Sequence, residues 1–190
     1  DRRSKMELPV YMITGFLESG KTSFILDTIS DKQFSKGQRT LIIACEEGEV
    51  EYAPDILKAA KAEVEFIEDE EEFNPEHLSE LVKKHRPTQI MLEYNGMWSL
   101  RTMAQKAPKD WIFYQIFMFV DHSKYQVYMN NMRQLLSDNF SIADIVVFNR
   151  CEKNKVDKKT LRRSIKALNP KIDMMFEYTC LLYTSPSPRD

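Results

Sequence analysis

Glycine is scarce in this chain of 190 residues, with five in all, beside three cysteines, three histidines and two tryptophans. Cys45, Cys151 and Cys180 stand alone, with no C-x-x-C pair and no histidine at ligand-like spacing. That excludes a disulfide scaffold or a zinc ribbon and points to a reducing, cytoplasmic setting. No apolar run approaches the roughly 20 residues of a membrane-spanning helix, since the longest, Trp111 to Val120, is interrupted by Gln115. The opening Asp1-Arg2-Arg3-Ser4-Lys5 leads into a short apolar run closed by Glu18 and Lys21, unlike a signal peptide. Charge of one sign is not in excess either: 27 basic and 29 acidic side chains give a net −2, which argues against nucleic acid and against an anionic membrane as partners. What is present, 43% hydrophobic and 29% charged residues, is the composition of a soluble globular chain with room for one well-filled core.

Locally the charge is uneven. Residues 46 to 72 hold twelve carboxylates against Lys58 and Lys61, whereas residues 150 to 166 hold eight Lys or Arg against Glu152 and Asp157. Both read first as solvated faces, the basic one with the option of a phosphate or partner contact.

Apolar segments of strand length recur along the chain: Leu8 to Thr14, Thr40 to Cys45, Val64 to Ile67, Gln89 to Glu93, Ile112 to Val120, Ile145 to Phe148 and Ile172 to Phe176. Helical patterns fall between them, over Lys21 to Ser30, Asp55 to Lys61, Pro75 to His85 (behind an Asn74 cap), Ser123 to Phe140 and Lys158 to Leu168. Continuously apolar strands alternating with helices predict an α/β fold of three layers, a mostly parallel sheet of about six or seven strands covered by helices on both faces. Residues 8–179 read as the domain, 1–7 as a leader foreign to it with Met6 as a native start, and 180–190 as a non-native Ser/Pro-rich tail. On that reading the native chain continues past Thr179.

Chemistry is concentrated between the first strand and the first helix. Gly15-Phe16-Leu17-Glu18-Ser19-Gly20-Lys21-Thr22 fits G-x-x-x-x-G-K-[ST] at every fixed position, and Ser23 continues it into the helix. Glycines let the backbone wrap a polyphosphate, successive N–H groups and the helix dipole supply positive potential, Lys21 reaches the β- and γ-phosphates, and the Thr22 hydroxyl ligates magnesium. Four of the five glycines, Gly15, Gly20, Gly48 and Gly96, fall at predicted strand ends, where α/β proteins bind ligands.

Glu93-Tyr94-Asn95-Gly96 follows a strand, placing Glu93 for the magnesium shell and the Gly96 N–H for the γ-phosphate. Asn149-Arg150-Cys151-Glu152 follows another. Guanine-selective proteins use Asn-Lys-x-Asp in this place: Asn149 would hold the purine edge, Arg150 would cover the ring, and Glu152 would accept from the guanine N–H donors with a side chain one methylene longer than aspartate.

In order along the chain, ITGFLESGKT (Ile13 to Thr22), CEEGE (Cys45 to Glu49), LEYNG (Leu92 to Gly96), FVD (Phe119 to Asp121), VVFNR (Val146 to Arg150) and LNP (Leu168 to Pro170) resemble the CobW-type branch of the CobW/UreG/HypB metallochaperone GTPases. The resemblance implies a P-loop NTPase fold, a GTP-binding and slowly GTP-hydrolysing switch with GTP and Mg2+ as its ligands, and a protein partner or metal-receiving target. It also implies that Glu46 and Glu49 are switch carboxylates holding magnesium or the attacking water, and that Glu93 is the metal-shell acid. Members of that branch usually carry C-x-C-C after the third strand; here Phe66 to Phe73 reads FIEDEEEF, without a thiol. Its carboxylates are hard ligands, suited to magnesium, manganese or calcium rather than zinc.

Two rival readings share the loop: an ATP-dependent small-molecule kinase, and a regulatory nucleotide-binding module with little hydrolysis. Among the remaining residues, Phe113, Tyr114, Phe117 and Phe119, together with Met91, Met97, Met118, Met174 and Met175, read as core packing. Tyr94, Met97 and Trp98 read as an exposed partner surface.

Overall fold

The structure, a computed structural model, describes residues 7–16, 19–46, 48 and 50–178. Seven strands, β1 (Leu8–Gly15), β2 (Thr40–Ala44), β3 (Ala62–Phe66), β4 (Gln89–Glu93), β5 (Trp111–Asp121), β6 (Ile145–Cys151) and β7 (Asp173–Tyr178), form one sheet in the order β3-β2-β4-β1-β5-β6-β7. Every pairing is parallel. Eight helices connect them: α1 (Lys21–Ser30), α2 (Lys32–Ser35), α3 (Pro54–Ala60), α4 (Pro75–His85), α5 (Leu100–Lys106), α6 (Tyr125–Asn131), α7 (Arg133–Ile142) and α8 (Lys158–Leu168).

The period of two along each strand builds two cores. Val10 and Met12 of β1, Leu41 and Ile43 of β2, Ile90 and Leu92 of β4, and Val146 and Phe148 of β6 point into the larger one, closed by Leu78 and Leu81 of α4, Leu100 of α5, Leu136 and Phe140 of α7, and Leu161 and Ile165 of α8. The intervening residues Ile13, Ile42, Met91, Phe119 and Val147 point the other way, against Ile25 and Ile29 of α1 and Ala60 of α3. The layered α/β architecture expected from the sequence is the one found.

Three differences have local causes. The single helix expected over Ser123 to Phe140 is a 3-10 turn (His122–Lys124) followed by α6 and α7, with Met132 at φ −137° between the two helices. Asn130 and Asn131 precede the break and are poor helix formers; the Asn131 side-chain amide donates to the Val127 carbonyl at 2.8 Å, a local bond that competes with regular helix. Helices α2 and α5 were not anticipated: each is short, started by an Asp31 cap to the Gln33 N–H and a Ser99 cap to the Arg101 N–H. Tyr114, Met97 and Met175 are exposed rather than core: Met175 lies on β7, a sheet edge, Tyr114 lies in the amino-terminal half of β5, which is only partly covered, and Met97 lies in the turn between β4 and α5.

Candidate functional site

Strand order brings the chemistry together. β1 lies between β4 and β5, and β2 lies beyond β4, so the chain leaves β1 toward one side of the sheet and crosses to the other after β4. In parallel register Glu93 stands level with Ile13 of β1 and Ala44 of β2, and Asn149 level with Asp121 of β5. Residues that follow these positions therefore emerge at one carboxyl edge, the crevice where such sheets hold ligands.

At its centre is the start of α1. The helix is preceded by Gly20 at φ 91°, has no side-chain cap and carries no acid in its first turn. The left-handed backbone at Gly20 is what a glycine adopts readily. Without a capping side chain, the first N–H groups of α1 and the positive end of its dipole face the cleft, an arrangement suited to an anion.

Lys21 is only 4% exposed. Its ammonium donates to the Gly15 carbonyl and to Glu46, closing an ion pair across the cleft. Burial pushes the ammonium down to about 8 against the opposing pull of Glu93. The Thr22 hydroxyl donates to Glu93 Oε1 at 2.8 Å, and the Tyr52 hydroxyl donates to Glu93 Oε2. Burial raises the Tyr52 phenol far above its ordinary value, the Glu93 carboxylate adding to the effect, so the phenol stays a donor.

The glycines interlock. A Cβ on Gly96 would fall 2.2 Å from the Gly15 carbonyl oxygen, one on Gly48 would lie 3.2 Å from Thr22 Oγ1, and one on Gly20 would lie 3.4 Å from Asn149 Nδ2. Gly96 is thus wedged against the beginning of the loop, which lets the exit of β4 touch the exit of β1.

Asn149 Nδ2 donates to the Ser19 carbonyl, while its Oδ1 is buried without a hydrogen-bond partner. Arg150, in a left-handed backbone conformation at φ 51°, donates from Nη1 to Asp121 Oδ2 at 2.8 Å. Burial of the Asp121 carboxyl pushes it up, but hydrogen bonds from Ser123 and Arg150 prevail and hold it below the usual carboxylate range. Glu152 is not brought to the cleft: it is exposed and paired with Lys155 at 2.6 Å.

Ser19, Gly20, Lys21, Thr22, Ser23, Glu46, Gly48, Val50, Glu93 and Arg150 line one cleft. Glu18 and Glu49 lie outside the described residues. Tyr52 and Asp121 touch the site residues although the sequence assigned them no role; Asp121 closes the FVD segment at a strand end, and nothing in its neighbourhood marks Tyr52. Tyr94 and Trp98 contradict the expected exposed surface: both are buried, stacked edge-on against each other beside Phe73, and Met97 alone of the three is exposed. Aromatic bulk just after a strand found a core pocket under the loop.

The oxygen donors at this edge, the Thr22 hydroxyl and the carboxylates of Glu93 and Glu46, fit a hard cation, and glycine at position 48 keeps the Thr22 side clear. Among the described residues no group of three or more His, Cys, Asp or Glu is arranged to hold a metal. A cation here would therefore also need phosphate oxygens, the usual manner of binding magnesium. In the acidic segment, Asp69 caps a 3-10 turn (Glu70–Glu72) and Glu70 pairs with Lys106 at 3.3 Å, the geometry of a surface turn. Among the described residues no helix is long and apolar enough to cross a membrane.

A sequence profile of the CobW/HypB/UreG nucleotide-binding domain matches residues 9–176. Among solved structures, the hydrogenase maturation factor HypB from Archaeoglobus fulgidus is similar with a TM-score of 0.62 at 17% identity, covering 96% of this chain and 85% of that one. HypB from Helicobacter pylori, solved in complex with nickel, gives a TM-score of 0.63 at 13% identity, covering 93% and 81%. The 54 kDa signal recognition particle protein from Aeropyrum pernix K1, solved with GDP, gives 0.56 at 11% identity, covering 94% of this chain and 43% of that one. At these identities the likeness is one of fold. No curated protein matches the sequence.

Proposed function

The chain belongs to the CobW/HypB/UreG family of nucleotide-binding domains, and from that premise we propose that it is a magnesium-dependent GTP-binding switch that hydrolyses GTP slowly. One observation carries the proposal: the uncapped start of α1, the buried Lys21 and the Thr22–Glu93 hydrogen bond share one cleft with Arg150, and Asn149 borders it through Ser19. Lys21 and the N–H groups of Gly20 to Ser23 bind and orient the phosphates. Thr22 and Glu93 would hold a magnesium ion, which when bound would neutralise charge on the transferring phosphoryl group. To meet the phosphate Lys21 leaves Glu46, and the released carboxylate of Glu46, or that of Glu49, orients water; the Gly96 N–H meets the γ-phosphate. Asn149 holds the purine edge, its Oδ1 accepting from a purine N–H donor, and Arg150 covers the ring. Unaided turnover is on the order of 10⁻⁴ to 10⁻² per second, as for GTPases that await a partner. By family, the output is engagement of a protein partner or metal-receiving target in metal homeostasis, in the cytoplasm.

The position of Glu152, turned to Lys155 on the surface, favours a second reading in which the purine is weakly discriminated and ATP is accepted. Competition between unlabelled GTP and ATP for a bound fluorescent guanine nucleotide tests the first reading. It expects GTP to displace the probe at a concentration at least about tenfold lower; displacement by ATP at equal or lower concentration rejects the guanine assignment. Phosphate release measured on the same sample separates a slow GTPase from a module that only binds.

A further inference from the structure

Glu93 is 1% exposed, and both of its carboxylate oxygens are engaged, Oε1 by Thr22 and Oε2 by Tyr52. Tyr52 lies between β2 and α3, just ahead of Ala53 and the Pro54 that opens the helix. Its ring packs against the smaller core, as do Ile56 and Leu57 of α3, while its hydroxyl leaves that core for a carboxylate on β4. The ring contributes what a phenylalanine would; the hydroxyl is there for Glu93. The main chain is tied to the same residue, since the Cys45 N–H donates to the Glu93 carbonyl at 2.8 Å. Glu46 and Gly48, which line the cleft, thus lie in sequence between two residues bonded to Glu93, Cys45 and Tyr52.

We propose that Tyr52 is the positioning residue of the cation site: its hydroxyl fixes the Glu93 carboxylate toward Thr22. This rests on the reading of the cleft as a magnesium–nucleotide site. A carboxylate with one free oxygen can turn about its side-chain torsions, and a cation must then supply the ordering. Held at both oxygens, it is aimed before the cation arrives. Outer partners of this kind commonly govern metal affinity by 10- to 100-fold.

The test uses Mn2+ as the probe, with the full chain and a non-hydrolysable guanine nucleotide, and reads bound Mn2+ by electron paramagnetic resonance. Tyr52→Phe is expected to weaken Mn2+ binding about tenfold or more while leaving nucleotide binding in EDTA unchanged. Ile56→Val, which alters the packing near the ring but not the hydroxyl, is expected to leave both unchanged. Unchanged or tighter Mn2+ binding in Tyr52→Phe overturns the proposal, as does a parallel loss of nucleotide binding in EDTA. If the unsubstituted protein binds no Mn2+–nucleotide, the functional reading fails and takes this inference with it; if that protein binds and Tyr52→Phe binds equally well, this inference alone fails.

Discussion

Gly96 and Gly15 touch through their backbones so closely that a single added carbon on Gly96 would sit 2.2 Å from the Gly15 carbonyl oxygen. The loop after β4 is therefore fitted to the loop after β1, and the relation is one of backbone against backbone, with no flexible side chain to yield. Gly96→Ala should destabilise the fold by about 1–3 kcal/mol, in the range of overpacked cores, and weaken nucleotide binding at the same time. Gly37→Ala is the contrast: its Cβ meets nothing within 4 Å, although φ is +72°, so it should cost about 1–2 kcal/mol of backbone strain and leave binding intact. Denaturant midpoints and nucleotide titrations on the two variants check the difference.

Lys21 sets a pH dependence. Burial brings its ammonium to about 8 in the protein without nucleotide, and a phosphate beside it would favour the protonated form. Below pH 8 the cation is already present and affinity should be flat with respect to this group. As pH rises through 8 the proton must be taken up on binding, so affinity should fall, approaching tenfold per pH unit. Isothermal titration between pH 6.5 and 9.5 in buffers of different ionisation enthalpy would show both the fall and the proton uptake. A flat profile through pH 9.5 would contradict the burial argument.

On the proposed reading Asn149 serves both the loop and the base. Its amide donates to the Ser19 carbonyl and leaves Oδ1 buried and unpartnered. Asn149→Ala should lower guanine-nucleotide affinity by more than about tenfold, the scale of losing one buried hydrogen-bonding partner. Glu152→Ala, which removes a side chain paired with Lys155 outside the cleft, should change it by less than Asn149→Ala does. Equal losses in the two variants would mean that Glu152 turns inward when nucleotide binds.

Phe73 packs against Tyr94 and Trp98 beneath the loop that bears Gly96. It is fully buried, and Phe73→Ala should cost about 3–5 kcal/mol of stability. A urea unfolding curve measures this directly. Nucleotide affinity of the fraction that stays folded should change little, since Phe73 does not line the cleft.

Much of this was legible before any coordinates. Seven apolar segments announced seven strands because a sheet covered on both faces needs apolar side chains on both faces, and the glycines and Lys21-Thr22 marked the junction of β1 with the uncapped start of α1. What escaped were features set by distant contacts. Tyr52 joins Glu93 across 41 positions, and nothing in its own neighbourhood marks it. Tyr94 and Trp98 looked like loop aromatics because their burial depends on Phe73. The break at Met132 and the one-turn helix α2 are decided by single side-chain bonds, those of Asn131 and Asp31, too small a signal for an apolar period to carry. Glu152 follows its neighbours Asn149 and Arg150 in sequence but not in space, because the backbone turns left-handed at Arg150.

The central claim is that the segment from Gly15 to Thr22 grips a triphosphate through main-chain N–H groups and one ammonium. The most direct measurement is a titration of the unsubstituted protein and Lys21→Ala with a fluorescent GTP analogue in the presence of Mg2+, with circular dichroism to show that both are folded. The account predicts saturable binding by the first and a loss of at least about a hundredfold in the second. Equal binding by the two would contradict it.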